Sequence, residues 1–323
     1  MLKVTLQPSG LVLQVEQGER ILDAARRQGV ECPQSCRNGN CRICAALLVN
    51  GRIRQAGQSL EQGEVFSCLA VPEEDCVLHW EGVLAPGELP VRRLVCQVLG
   101  CEPLGGDVYR VQLRAPAGKP LRYHAGQYLL VERADGDMAA FSIASAPHQG
   151  RELELHILVR EESTRQLLAQ LQQQGTVSVQ LPMGSVQLRE PAPAGLLLIA
   201  AGTGLAQMHS LVAHSLAQGW TQPIHLYWGV RQATDFYALP ALAAWQASGQ
   251  VRVHQVVSDD PAWAGRQGLL HEAVCADFAD FRGLQVYASG SPGMVYATLD
   301  ALLAAGMQRE QMQADVFDYA PRD

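Results

Sequence analysis

The 323 residues carry 25 Lys+Arg against 32 Asp+Glu, a formal net charge of −7, with 48% hydrophobic and 18% charged side chains. At ~100–200 residues per domain this is a chain of two or three globular domains, and its composition excludes a disordered, fibrous or miniature protein. The acidic balance argues against nucleic acid as the main partner, and the longest nearly unbroken apolar stretch, 196–206, is interrupted by glycines and far shorter than the ~20 residues a membrane span needs.

The chain opens Met1-Leu2-Lys3-Val4-Thr5-Leu6, a strand rather than a charged-then-apolar leader, so a cytoplasmic protein is expected. Residues 3–6 and 11–15 predict a hairpin, and 21–28, closed by Gly29, a short helix. Cysteines follow at 32, 36, 41, 44, 68, 76, 96, 101 and 275, an odd count that disfavours a disulfide framework. Cys36-x4-Cys41-x2-Cys44 with Cys68 has the plant-type spacing for a 2Fe-2S cluster. Three thiolates on one irregular loop reach the same inorganic core and a distant fourth completes its shell, so these four are the metal-ligand candidates. Zinc, the alternative, usually takes two C-x2-C knuckles, and only Cys41 and Cys44 have that spacing. The other five cysteines read as small apolar residues. Arg37, Arg42, Arg52 and Arg54 run against the acidic balance of this segment and suit an acidic partner docking at the loop.

Proline- and glycine-rich stretches at 82–90 and 190–195 mark connections, dividing the chain into blocks 1–90, 91–190 and 191–323. In the middle block the alternating runs 108–113, 152–157 and 177–181 predict half-buried antiparallel strands. They are interrupted by one helix, with Ser163 as cap, Gln166 completing a capping box, and Leu167, Leu168 and Leu171 as its apolar side. In the third block, strands at 196–200, 224–228, 251–257 and 284–288 alternate with helices at 205–218, 238–247 and 294–305, the βαβ pattern of a parallel sheet. Gly202-Thr203-Gly204 follows an apolar strand and opens a helix, the context in which a glycine loop faces a phosphate.

The segment Ser35-Cys36-Arg37-Asn38-Gly39-Asn40-Cys41-Arg42-Ile43-Cys44, with Cys68, resembles the cluster loop of plant-type ferredoxin domains of β-grasp fold. Arg42 stands where glycine is common, and a cation there would raise the potential above the ~−400 mV of such clusters. Ala125-Gly126-Gln127-Tyr128 and the run from Ala139 through Phe141-Ser142-Ile143-Ala144 to Pro147 resemble the flavin-binding strands of the ferredoxin–NADP reductase superfamily. That resemblance implies flavin contacts from Phe141, Ser142, Ile143 and Ala144, from His156 and Ile157, and from Ser163 and Thr164 at a helix start able to face a phosphate. Ser142, orienting flavin N5 by hydrogen bonding, is the catalytic candidate. Ala139 replaces the arginine that clamps the flavin phosphate in this family, which leaves the tightness of FAD retention open.

Gly202, Thr203 and Gly204, then Arg231, Asp235 and Tyr237, then Ser289, Gly290 and Met294 resemble in order the NAD(P)H half of the same reductases, with Ser289 in place of a frequent cysteine. Ala314-Asp315-Val316-Phe317 resembles a terminal segment whose aromatic, here Phe317, covers the flavin ring. The implied fold is multi-domain α+β and α/β: a β-grasp 2Fe-2S domain over 1–90, an antiparallel Greek-key β-barrel FAD domain over 91–190, and a parallel-sheet NAD(P)H domain over 191–323. Such chains include reductase components of ring-hydroxylating oxygenases and deoxysugar-pathway reductases. The implied activity is electron transfer by a monomer from NAD(P)H through FAD to the cluster and on to a partner protein docking near the cluster loop, such as an oxygenase or sugar dehydratase component. An NAD(P)H:flavin reductase using diffusible flavin is the alternative. NADH against NADPH stays open, because Arg231 suits either a diphosphate or a 2′-phosphate.

Overall fold

The computed structural model describes residues 1–118 and 121–322. The chain divides into two compact units, Met1–Pro90 and Val91–Asp323. Among the described residues no helix is long and apolar enough to cross a membrane.

In the first unit, Val4 and Leu6 alternate inward along strand Leu2–Gln7, which forms a hairpin with Val12–Val15 and runs parallel to Cys76–His79. Ala45–Asn50 and Gly63–Phe66 complete a mixed five-stranded sheet. Helix Ile21–Arg27 buries Ile21, Leu22, Ala24 and Ala25, and its last turn carries Arg26 and Arg27, which complement the helix dipole. The Cys36–Cys44 segment forms no regular element, while Cys68 lies in a turn after Gly63–Phe66.

The second unit holds two six-stranded sheets. One is antiparallel, in the order Met138–Ser142, Tyr128–Glu132, Thr176–Met183, Arg92–Gly105, Val108–Arg114, Glu152–Leu158. The other is parallel, in the order Arg266–Gln267, Val251–Val257, Ile224–Val230, Gly195–Ala201, Leu284–Ser289, Met312–Gln313. Strand order reverses between Gly195–Ala201 and Leu284–Ser289, and such switch points are where open α/β sheets bind ligands. The sequence treats 91–190 and 191–323 as separate blocks; here they share one compact unit. Helix Leu205–Ala217 ties them, since His209 Nδ1 donates to Ala144 O at 2.7 Å and Ser210 Oγ to Ser145 O at 2.8 Å.

Two local expectations are corrected. The middle helix spans Glu162–Gln174 with Glu161 at its cap, and Ser163 makes no capping bond. Gln166 Nε2 instead donates to Glu162 Oε1 at 3.0 Å, and Thr164 Oγ1 donates to Glu161 O at 3.0 Å, so the proposed capping box does not form. The helix expected from residue 238 starts at Ala241, because Pro240 disfavours helical geometry in the residue before it.

Candidate functional site

The four cysteines come together as two pairs. Cys44 and Cys68 are buried with their sulfurs 3.2 Å apart, and the Cys41 N–H donates to Cys36 Sγ at 3.3 Å. Backbone N–H groups, from Asn38 foremost, lower the Cys36 thiol to about 7, whereas burial raises Cys68 to about 11. No three His, Cys, Asp or Glu side chains among the described residues converge on one ion. Two thiol pairs suit a two-iron core, with two ligands for each metal. Ser67, the chain neighbour of Cys68, is fully buried and its Oγ has no partner, a spare donor beside a candidate ligand. The loop geometry also fits. Gly39 has φ +83°, and a Cβ there would lie 2.7 Å from Leu69 Cδ1. Arg37 and Arg42 are left-handed at φ 60° and 59°, which explains why glycine suits position 42. Cys32 stays apart, its half-buried thiol raised to about 12 by burial.

The arginines of this region are already paired. Arg37 meets Asp23 at 2.6 Å, Arg42 meets Glu64, Arg52 meets Glu61 at 3.2 Å, and Arg54 lies 4.0 Å from Glu73. The positive rim expected from the sequence is therefore neutralised locally. What stands out instead is Ile43, 51% exposed between Cys41 and Cys44 in the chain, with Leu47 also 51% exposed.

In the second unit, a cavity of about 370 Å³ is lined by Tyr128, Ala140, Phe141, Ser142, Ala288, Ser289, Gly290, Asp315, Val316 and Tyr319. It has room for a planar ring edge, and its polar groups are unspent. The hydroxyls of Ser142 and Ser289 make no side-chain hydrogen bond among the described residues, and Asp315 Oδ1 is buried without a partner, while its Oδ2 accepts from Gln207 Nε2 at 2.7 Å. Burial pushes the Asp315 carboxyl up to about 7.

A second cleft, of about 330 Å³, is lined by Ala201, Gly202, Thr203, Arg231, Asp235, Tyr237, Ser291 and Met294 on the parallel-sheet side and by Val108, Leu158 and Arg160 on the other. Gly202–Gly204 is a short 3-10 turn leading into helix Leu205–Ala217, whose N-terminal dipole end favours an anion. A Cβ at Gly204 would lie 2.3 Å from Ser289 O, so only glycine fits there. This contact makes the glycine turn and the Ser289 cavity share a wall. Both arginines of the cleft are engaged: Arg231 Nε donates to Asp259 at 2.8 Å, and Arg160 Nη2 to Asp235 at 2.5 Å.

The structure thus gathers Phe141 and Ser142 with Ser289 and Gly290, and Gly202 and Thr203 with Arg231, Asp235 and Met294. Other candidates lie elsewhere. The Ile143 N–H donates to Gln127 O and the Ala144 N–H to Glu154 O, and both side chains are buried, as is Ile157. His156 is buried with both ring nitrogens used: Nε2 donates to Glu154 at 2.9 Å, leaving Nδ1 to accept from Tyr237 OH at 3.0 Å. Phe317 is a correction. It packs under Arg309, whose guanidinium carbon lies 4.0 Å from the ring centroid, and beside Tyr296, while Tyr319 lines the cavity in its place. Positions two apart on helix Val316–Tyr319 point ~200° apart, so choosing the wrong aromatic selects the wrong face. Tyr128 and Asp315 were missed as site residues, although both stand inside the segments that carry the resemblance.

Residues 4–73 match the 2Fe-2S iron-sulfur cluster binding domain, and residues 198–300 match the oxidoreductase NAD-binding domain. The reductase component DmpP of phenol 2-monooxygenase from Pseudomonas sp. is 31% identical over 97% of this chain and 92% of its own length. The chain belongs to this family of 2Fe-2S reductase components. The reductase is also 27% identical to the CDP-6-deoxy-L-threo-D-glycero-4-hexulose-3-dehydrase reductase of Yersinia pestis, over 98% of both chains. Among solved structures, the Amycolatopsis reductase GcoB superposes with TM-score 0.68 at 27% identity, covering 98% of both chains. The reductase is an oxidoreductase using NAD(P)H, FAD and a 2Fe-2S cluster.

Proposed function

We propose that NAD(P)H binds over Gly202–Gly204, that the flavin ring lies beside Ser142, and that Cys36, Cys41, Cys44 and Cys68 hold the cluster from which electrons leave to a partner protein. FAD supplies the conversion from a two-electron hydride donor to one-electron transfer, and the cluster passes electrons singly. The residues of the chain do the positioning. The Ser142 hydroxyl, at the cavity wall, would hydrogen-bond the ring edge; Phe141, Tyr128 and Tyr319 would supply apolar surface; and the start of helix Leu205–Ala217 would hold the dinucleotide phosphates. The carrying observation is the contact of Gly204 with Ser289 O, which sets the nucleotide turn directly behind the cavity that holds Ser142.

In this reading 91–190 is the flavin domain and 191–323 the nucleotide domain. The six antiparallel strands close as a Greek-key barrel, a closure supported by the bond from Ala144 N to Glu154 O at 2.8 Å, which links the two ends of the strand order. The partner is an oxygenase or sugar-dehydratase component, as for the relatives, docking near the cluster loop of a cytoplasmic monomer. The test is Cys41→Ser. Cytochrome c reduction should fall to the level of cluster-free protein, while anaerobic bleaching of the flavin by NADH or NADPH continues. Undiminished cytochrome reduction would refute the relay.

A further inference from the structure

The two glycines of the turn 202–204 are there for different reasons. Gly204 is wedged, since a Cβ there would lie 2.3 Å from Ser289 O. At Gly202 a Cβ would meet nothing within 4 Å, so no neighbour holds this residue by contact; what asks for glycine is its left-handed backbone, φ +54°. The orientation of its peptide therefore rests on hydrogen bonds. Gly202 O accepts twice, from a backbone N–H at the start of helix Leu205–Ala217 and from Trp228 Nε1 at 3.0 Å.

Trp228 lies on strand Ile224–Val230, beside Ala200 of Gly195–Ala201, and is 1% exposed. Its ring packs edge-on against Phe236 and Tyr237, with centroids 4.7 and 5.1 Å away, so packing fixes the direction in which its N–H points. An indole N–H can only donate. Burial alone does not secure it an acceptor in this chain, because Nε1 of Trp80 and of Trp263 are buried with no partner among the described residues. The bond to Gly202 is thus particular to the floor of the turn.

We infer that Trp228 is a positioning residue for coenzyme binding: its N–H turns Gly202 O into the protein and so aims the Thr203 N–H, which a trans peptide holds antiparallel to that carbonyl, at the diphosphate of NAD(P)H. This role rests on the coenzyme lying over Gly202–Gly204. Without the indole donor the glycine peptide is free to rotate, and its carbonyl, turned into the cleft, sets a partial negative charge where the phosphates arrive.

The test uses the full chain with cluster and flavin. ADP-ribose, which shares the diphosphate and lacks the nicotinamide, is titrated by calorimetry, and anaerobic bleaching of the flavin is followed over a range of NADH and of NADPH. In Trp228→Phe the Kd for ADP-ribose and the half-saturating coenzyme concentration should both rise about three- to tenfold, while the limiting bleaching rate stays within about twofold of native. Because phenylalanine also removes ring area, a second variant, Trp228→benzothienylalanine, keeps the bicyclic shape and exchanges the N–H for sulfur. It should show the same weakening with a thermal midpoint close to native. A benzothienylalanine variant that binds ADP-ribose as tightly as the native chain, or that loses bleaching rate while keeping its affinity, would overturn the role of Trp228 and leave the coenzyme in its place. Failure of the native chain to bind ADP-ribose would overturn that placement, and the role of Trp228 with it.

Discussion

The cysteine loop and the cavity beside Ser142, the two places proposed to meet a redox group, are built in opposite ways. The loop is exposed and irregular. It spends left-handed backbone at Arg37 and Arg42, and its charges are cancelled in pairs by Asp23 and Glu64. The cavity is lined by the ends of regular strands and by helix Val316–Tyr319, and behind its Ser289 no side chain fits at Gly204. It keeps one buried carboxyl half uncompensated. In the proposed reading, metal–sulfur bonds would fix the shape of the loop, so that it could tolerate strain. A site held by packing tolerates none, and its tension is stored in an unpaired group.

Three measurements press on this contrast. The largest effect is expected at Asp315. Unfolded, its carboxyl ionises near 3.8; folded, near 7, so between these values the folded chain holds a proton that the unfolded chain lacks. Its stability is then greatest below the lower value and falls as pH rises toward the upper one, by up to about 4 kcal/mol. Asp315→Asn should flatten that part of the pH–stability curve, and thermal midpoints taken from pH 4 to 8 would show it; parallel curves for both proteins would contradict the stored tension. Next comes Gly204→Ala. With a Cβ 2.3 Å from Ser289 O, the substitution should cost about 1–3 kcal/mol in denaturant unfolding and weaken NAD(P)H binding. A neutral result would mean that the shared wall yields freely. The smallest effect belongs to the loop: Arg42→Gly relieves left-handed strain of about 1 kcal/mol, partly offset by loss of the exposed Glu64 pair. Cluster loss on heating should shift slightly upward, and a redox titration should show a more negative potential once the cation is gone.

Much of the fold was legible in the sequence where burial leaves a pattern. Strand Gly195–Ala201 is a continuous apolar run because both of its faces are covered. The strand Arg92–Gly105 was not legible: alternate positions face solvent, and the register shift near Gly100 breaks its rhythm. Helix Leu270–Asp277 buries only Leu270, Ala273 and Val274, too few to stand out. The cysteine set is readable because ligand chemistry demands a spacing. Partners across the fold leave no such trace, so the sequence showed four arginines near the loop but not the carboxylates that silence them. Nor could it show that Tyr319 rather than Phe317 faces the cavity, which depends on how a four-residue helix is rotated.

The contact of Gly204 with Ser289 O also bears on how this enzyme could be re-engineered. The glycine turn and the Ser142 cavity, proposed to hold dinucleotide and ring, are two sides of one partition, so a change meant to reshape the first is inherited by the second. In the proposed reading, coenzyme choice is better altered at Arg231, whose side chain is 82% exposed and meets the partly exposed Asp259.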